Sequence, residues 1–161
     1  MKRLMPILIV IALPLLAGCG SKSASNPPAS PDTSAASAPA PADTSGVLAK
    51  SRYDDGPRAA DEPVDAALAA QGEKLFQSKG CVTCHAWGKR VVGPDLKGVP
   101  AQRTSQWMEN QILHPEVMTK EDPIAHALLM QYHTQMTNQH LTPDQAKMVV
   151  EYLKKRQKES K

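Results

Sequence analysis

The sequence has few cysteines and few aromatic residues. Its 161 residues include three cysteines, one phenylalanine and two tryptophans. Cys81 and Cys84 form a Cys-X-X-Cys pair. Neither a second such pair nor a His-X-X-X-His follows Cys84. The two further ligands of a structural zinc site are therefore missing. An alternating strand–helix pattern is also missing, which disfavours a thioredoxin-like dithiol at the same cysteines. Because aromatic residues are few, the region of about one hundred residues at the C-terminal end has little aromatic side-chain volume with which to fill a core.

Two of the cysteines form a pattern for haem attachment. Cys81, Cys84 and His85 make a Cys-X-X-Cys-His sequence. Two thiols three residues apart on one turn can reach the two vinyl groups of a single porphyrin, and the adjacent imidazole can then bind the iron. We therefore expect one covalently attached haem c, with His85 as an iron ligand. The haem would supply the apolar bulk that the aromatic residues do not.

A basic N-terminus followed by an apolar run indicates an export signal. Residues 4–17 form this run, which is too short to span a bilayer comfortably. The run ends in Leu-Ala-Gly before Cys19. This ending resembles the lipobox of bacterial lipoproteins, and the alternative is a plain secretory signal with an incidental cysteine. The resemblance implies that residues 1–18 are a lipoprotein signal peptide and that Cys19 is lipidated. The protein would then be anchored on the periplasmic side of a membrane, and Gly20 permits the outer membrane.

A segment rich in Ala, Pro and Ser follows this cysteine. Residues 20–46 contain no Val, Ile, Leu, Met or aromatic residue, so they cannot bury enough apolar surface to offset the entropy of ordering. We therefore assign residues 19–62 to the lipidated cysteine and a flexible tether, and residues 63–161 to the folded haem domain. The sequence leaves open whether residues 47–62 dock on that domain.

Helical periodicity without strand-like alternation predicts an all-α domain. The first helix is expected to be capped by Asp61 or Glu62, with Pro63 in its first turn, and to end at Gly80. This helix would lead directly into the haem motif.

Capping residues indicate further helices. Thr142 and Gln145 form a capping box at the start of the last helix. Ser105 and Asp122 are each expected to cap one more helix. The inner face of the last helix carries apolar residues at helical spacing, namely Ala146, Val149, Val150 and Leu153.

Five short pieces of sequence follow one another between residues 72 and 153. They are Gly-Glu-Lys-Leu-Phe at 72–76, Gly80 before the haem motif, Gly-Pro-Asp-Leu at 93–96, a methionine ahead of the last helix, and Val-Glu-Tyr-Leu at 150–153. Each is weak alone, but their order and spacing resemble a class I c-type cytochrome domain over roughly residues 63–155. The resemblance implies the class I cytochrome c fold, with three to five helices around one covalently bound haem.

The resemblance also assigns roles to individual residues. In such domains the first and last helices cross near a small residue and aromatic residues, which map to Gly72, Phe76 and Tyr152. The backbone carbonyl of Pro94 is implied to accept a hydrogen bond from the ring N–H of His85, which would fix the tautomer of the iron ligand.

Met136 is the predicted sixth ligand of the iron. It lies in the polar connector 134–140 and stands five residues before Leu141, as the family pattern expects. Met118 is the alternative, and a histidine sixth ligand is a further one. Other methionines after the motif are assigned to helices, and these are Met108, Met130 and Met148.

These patterns predict an electron-transfer protein rather than an enzyme. A haem held by His85 and Met136 would cycle between ferrous and ferric iron and exchange single electrons with respiratory redox proteins. Two alternatives stay open. One is a haem gas sensor or peroxidase with a labile sixth site, and the other is a non-catalytic cytochrome subunit of a larger oxidoreductase.

Basic residues flank the haem motif, and they are Lys79, Lys89, Arg90 and Lys97. They could steer an acidic redox partner to the haem edge or could simply be solvated. An exported, lipid-anchored protein is not expected to bind nucleic acid. We expect a monomer.

Overall fold

The computed structural model describes residues 50–160. The regular elements in this part of the chain are all helices. They are α1 (Ala66–Ser78), α2 (Cys81–Cys84), α3 (Val99–Gln102), α4 (Ser105–Leu113), α5 (Pro115–Glu121), α6 (Pro123–Tyr132) and α7 (Pro143–Glu159). The all-α prediction is confirmed. The number of helices exceeds three to five because α2 and α3 are single turns of four residues each.

Several sequence predictions lie outside the described residues. The signal peptide, Cys19 and residues 20–49 of the tether belong to this group. Within residues 50–160, no helix is both long enough and apolar enough to cross a membrane.

Helices α1 and α7 pack against each other at Gly72. A Cβ atom built on Gly72 would lie 1.9 Å from the carbonyl oxygen of Met148, so only glycine lets the two backbones come this close. One turn further along α1, the rings of Phe76 and Tyr152 meet with their centroids 5.4 Å apart. The helix crossing that the resemblance implied is therefore present, and it fixes the end of α1 immediately before the haem motif.

Helix α7 begins and packs as the sequence predicted. Thr142 Oγ1 accepts a hydrogen bond from the backbone N–H of Gln145, and Gln145 Oε1 accepts one from the backbone N–H of Thr142. These two bonds satisfy two N–H groups that the first turn of a helix leaves unpaired. The predicted inner face is buried, with Ala146, Val149, Val150 and Leu153 all in the core.

The predicted start of α1 was wrong by one turn. Asp65 caps the helix, because its carboxylate accepts hydrogen bonds from the backbone N–H groups of Ala67 and Leu68. Glu62 instead accepts hydrogen bonds from Ser105 Oγ at 2.6 Å and from Lys154 Nζ at 3.1 Å. A short aspartate side chain reaches the first-turn N–H groups, whereas the longer glutamate is used for contacts with distant helices.

Residues 51–62 dock on the helices, and we call this segment the N-terminal clasp. Its Asp54 carboxylate accepts a hydrogen bond from the backbone N–H of Thr104 at 2.8 Å. The same carboxylate pairs with Arg58 and Arg103. The question that the sequence left open is thus answered for these residues: the clasp, which we had counted with the tether, packs on the domain.

Helices α4 to α6 connect the clasp to α7. Thr104 caps α4, with its Oγ1 accepting from the backbone N–H of Trp107, so the predicted cap at Ser105 was wrong by one residue. Asp122 caps α6 as predicted. Its buried carboxylate also accepts hydrogen bonds from the indole N–H of Trp107, at 3.0 Å, and from the hydroxyl of Ser51.

Candidate haem site

Both cysteines of the motif lie on the single turn of α2. Gly80 precedes the turn with a φ of 75°, a left-handed conformation that glycine adopts at little cost. The backbone N–H of His85 closes the turn on the carbonyl of Cys81 at 3.0 Å. Cys81 and Cys84 are both half-buried free thiols. Burial raises the pKa of the Cys81 thiol above its ordinary value.

His85 is oriented by Pro94. The Nδ1 atom of His85 lies 3.0 Å from the carbonyl oxygen of Pro94. Because a carbonyl oxygen can only accept, Nδ1 must carry the proton, and Nε2 keeps its lone pair for a metal ion. The structure thus brings these two predicted site residues together in the geometry of a metal-ligating histidine with a backbone acceptor.

Gly93 lies directly against the ring of His85. A Cβ atom on Gly93 would be 2.6 Å from His85 Cε1, and its backbone N–H donates to the carbonyl of Cys84 at 2.9 Å. Any larger residue would push the imidazole away from this position. Gly93 therefore packs against one side of the imidazole ring. Pro94 fixes the same ring by accepting the hydrogen bond from its Nδ1 atom.

Met136 lies in the connector between α6 and α7, and its side chain is half-buried. Its Sδ atom is 3.7 Å from Nε2 of Gln111 on α4. Asn138 fastens the same connector to α4, since its side-chain amide donates to the carbonyl of Leu113 at 3.0 Å. Ligation of one iron by His85 and Met136 stays a prediction.

The other methionines after the haem motif lie in helices, in different surroundings. Met118 is 1% exposed within α5, and Met108 is also buried. Met130 is exposed on α6. The burial of Met118 in the core is an argument for Met136 as the ligand, because a ligand must reach the haem.

The surroundings of His85 are suited to a porphyrin. A cavity of about 450 Å³ adjoins this histidine, and its lining is mostly apolar, including Phe76, Trp87, Leu96 and Tyr152. Partly buried apolar side chains also border the core at the motif, on α3 and on α4, among them Cys81, Val99 and Ile112. With two thiols on one turn and an imidazole held by its Nδ1 atom, these residues fit a covalently attached haem. The cavity accounts for the histidine end of such a site, since neither cysteine nor Met136 is part of its lining.

Gln111 was not identified from the sequence. Its Oε1 atom is buried and has no hydrogen-bond partner among the described residues, while its Nε2 atom faces the sulfur of Met136. Nothing in the sequence marks this glutamine, because Met136 is 25 residues away along the chain. Only the packing of α4 against the connector brings the two side chains together.

Comparisons with known proteins point to one family. The family model described as Cytochrome c matches residues 69–157. Cytochrome c-551 of Stutzerimonas stutzeri is 53% identical over 36 residues, which cover 22% of this chain and 35% of that protein. Cytochrome c-551 of Pseudomonas aeruginosa is 48% identical over 40 residues, which cover 25% of this chain and 38% of that protein. The matches thus span well under half the length of these curated relatives.

A solved structure is similar over a larger part of its length. Cytochrome c from Rhodothermus marinus is 36% identical to this chain, with a TM-score of 0.58. The alignment covers 60% of this chain and 83% of that one.

Proposed function

This chain belongs to the cytochrome c family, and we propose that it is a membrane-tethered electron carrier that transfers single electrons between respiratory redox proteins. As a member of the family it binds haem c covalently, one per chain. When bound, the haem supplies a one-electron couple between ferrous and ferric iron. The observation that carries the proposal is the hydrogen bond from His85 to Pro94, which leaves Nε2 available beside the two thiols.

The residues of the site have distinct roles in this proposal. Cys81 and Cys84 hold the porphyrin through thioether bonds. His85 is the iron ligand that cannot turn, because Pro94 and Gly93 fix its ring. Met136 would be the second protein ligand of the iron, and a thioether ligand would favour the ferrous state and so raise the potential.

Denaturing electrophoresis followed by a haem stain would test haem attachment. Protein made with a working cytochrome c maturation system should keep its stain, and Cys81→Ala or Cys84→Ala should weaken or abolish it. Cys19→Ser is the matched control, because it removes the remaining cysteine outside the motif and should leave the stain unchanged. A wild-type band without haem would refute the assignment.

We propose that acidic partners approach at the motif. Lys89 and Lys97 are exposed beside it. Charged residues around a contact surface speed encounter with a partner of opposite sign. Electron exchange with an acidic partner should therefore slow as salt rises, and Lys89→Glu should reduce that dependence. Equal salt dependence in both proteins would contradict this part of the proposal.

The anchor is the second part of the proposal. It rests on the sequence before Cys19, which lies outside the described residues. A lipid on this cysteine would hold the chain to the periplasmic side of a membrane, since several acyl chains together bind a bilayer persistently.

A further inference from the structure

Gln111 uses its side-chain amide differently from its neighbour on α4. The amide of Asn110 donates to the carbonyl of Gln106 at 2.8 Å, within its own helix. The amide of Gln111 leaves the helix, and its Nε2 atom lies 3.7 Å from Sδ of Met136. The Oε1 atom of the same amide is buried without a hydrogen-bond partner in residues 50–160. One atom of this half-buried side chain is thus desolvated without a partner, and the other contacts the predicted ligand.

The chemistry of the two groups fixes the direction of this contact. A thioether sulfur has no hydrogen and can only accept, so the atom facing it must be the amide nitrogen. The reversed amide would place two acceptors against each other. The sulfur of methionine has two lone pairs, and an N–H group can occupy one while iron takes the other.

Such a bond affects a bound iron in two ways. The N–H group draws electron density from the sulfur, which weakens donation to ferric iron more than to ferrous iron and raises the potential. It also restricts rotation of the thioether, so that the second lone pair keeps one direction. Asn138 ties the backbone of the connector to the same helix, and therefore α4 holds both the connector and its side chain.

We propose that Gln111 is a positioning residue that holds the sulfur of Met136 toward the haem iron and raises the reduction potential through an N–H···S hydrogen bond. This inference rests on the proposed function, because it needs Met136 to be the sixth ligand. It adds to that function Gln111 on α4, which sets how strongly the sulfur of Met136 donates to the iron.

The experiment uses haem-loaded protein carrying Gln111→Leu, which keeps the size of the side chain and removes the donor. The midpoint potential should shift downward in a potentiometric titration, and the weak red absorption band of ferric Met–Fe protein should remain but change position. Cyanide should bind the ferric variant about three- to tenfold faster, as expected for the loss of one modest hydrogen bond. Asn110→Leu is the matched control, since it makes a comparable change on the same helix without touching the sulfur, and it should leave all three readings unchanged.

The outcomes separate this inference from the function beneath it. If the wild type has the red band and loses it in Met136→Ala, but Gln111→Leu matches Asn110→Leu in potential and band position, the role of Gln111 is refuted and the electron-carrier proposal stands. If the wild type lacks the band, Met136 is not the ligand and both fail. Should Gln111→Leu not accumulate with haem, Gln111→Asn draws the amide back by one methylene and should shift the potential in the same direction; an unchanged potential would refute the inference.

Discussion

The two proposed iron ligands, His85 and Met136, are held in place by different kinds of contact. His85 is fixed by backbone atoms, the carbonyl of Pro94 and the closely packed Gly93. Met136 is held by the side chains of its surroundings, through Gln111 and the connector residue Asn138. The histidine bond is therefore expected to persist when the methionine bond opens.

Replacing the methionine tests its role directly. We expect Met136→Ala to remove the red absorption band of the ferric protein, to lower the potential and to admit carbon monoxide to ferrous iron, because soft sulfur prefers the ferrous state. Met118→Ala is the control. It should cost about 2–5 kcal/mol of stability by leaving a cavity in the core, yet keep the band. Loss of the band in Met118→Ala and survival in Met136→Ala would show that the ligand is assigned to the wrong methionine.

Glu109 on α4 gives the domain a dependence on pH that is separate from the haem. Burial raises the pKa of Glu109 above its usual value, Lys147 lowers it in part, and Glu62 and Glu151 raise it further. A carboxyl with a raised pKa in the folded state stabilises the fold fully below its unfolded pKa, and this contribution is lost as pH rises through the folded pKa.

Removing this charge should therefore stabilise the protein only where the carboxylate is ionised. We expect Glu109→Gln to raise the melting temperature at neutral pH and to leave it nearly unchanged below the ordinary glutamate pKa of about 4.3. Thermal unfolding followed by circular dichroism at both pH values checks this. Equal shifts at the two pH values would mean that the charge is not the cause.

Helix boundaries were predictable where the signal is local. Asp122 and Thr142 are short polar residues directly before a proline, and both cap the helix that follows. At Glu62 the same kind of signal misled us, because this side chain is engaged by Lys154 and Ser105. Those partners lie far along the chain, so the sequence around Pro63 cannot show that the glutamate is unavailable.

The residues of the candidate site, too, were predictable only where the signal is local. Cys81, Cys84 and His85 follow from five consecutive residues, and Pro94 follows from a short element whose place in the family is known. Helix α5 was missed, since it is seven residues long and begins directly after α4 at the shared residue His114. The role of Gln111 depends on how α4 lies against the connector, which no local pattern encodes.

The crossing of α1 and α7 depends on one missing methyl group. We expect Gly72→Ala to destabilise the folded domain by about 1–3 kcal/mol, because the new Cβ would overlap the carbonyl of Met148 and the helices would have to separate. Gln71→Ala, at an exposed neighbouring position of α1, should change stability by no more than about 0.5 kcal/mol. Chemical denaturation of haem-loaded protein measures both. Equal stability of Gly72→Ala and wild type would show that the crossing tolerates a side chain.

The proposed lipid anchor at Cys19 lies outside the residues that the structure describes. We expect Cys19→Ser to release the protein from membranes without any change in its haem spectrum, because the acyl chains would no longer be attached. Membrane fractionation and visible absorption of both fractions measure this. A variant that stays with the membranes would point to an uncleaved signal or to a partner that holds the domain there.

The N-terminal clasp determines where a pull on the chain is felt. Within residues 50–160, the first contact with a helix from the N-terminal side is at Ser51, whose hydroxyl is bonded to Asp122 at the start of α6. Next in line is Asp54, with its bonds to Thr104 and two arginines. A pull on this segment is therefore expected to load these contacts ahead of α1 and of the haem turn that follows it.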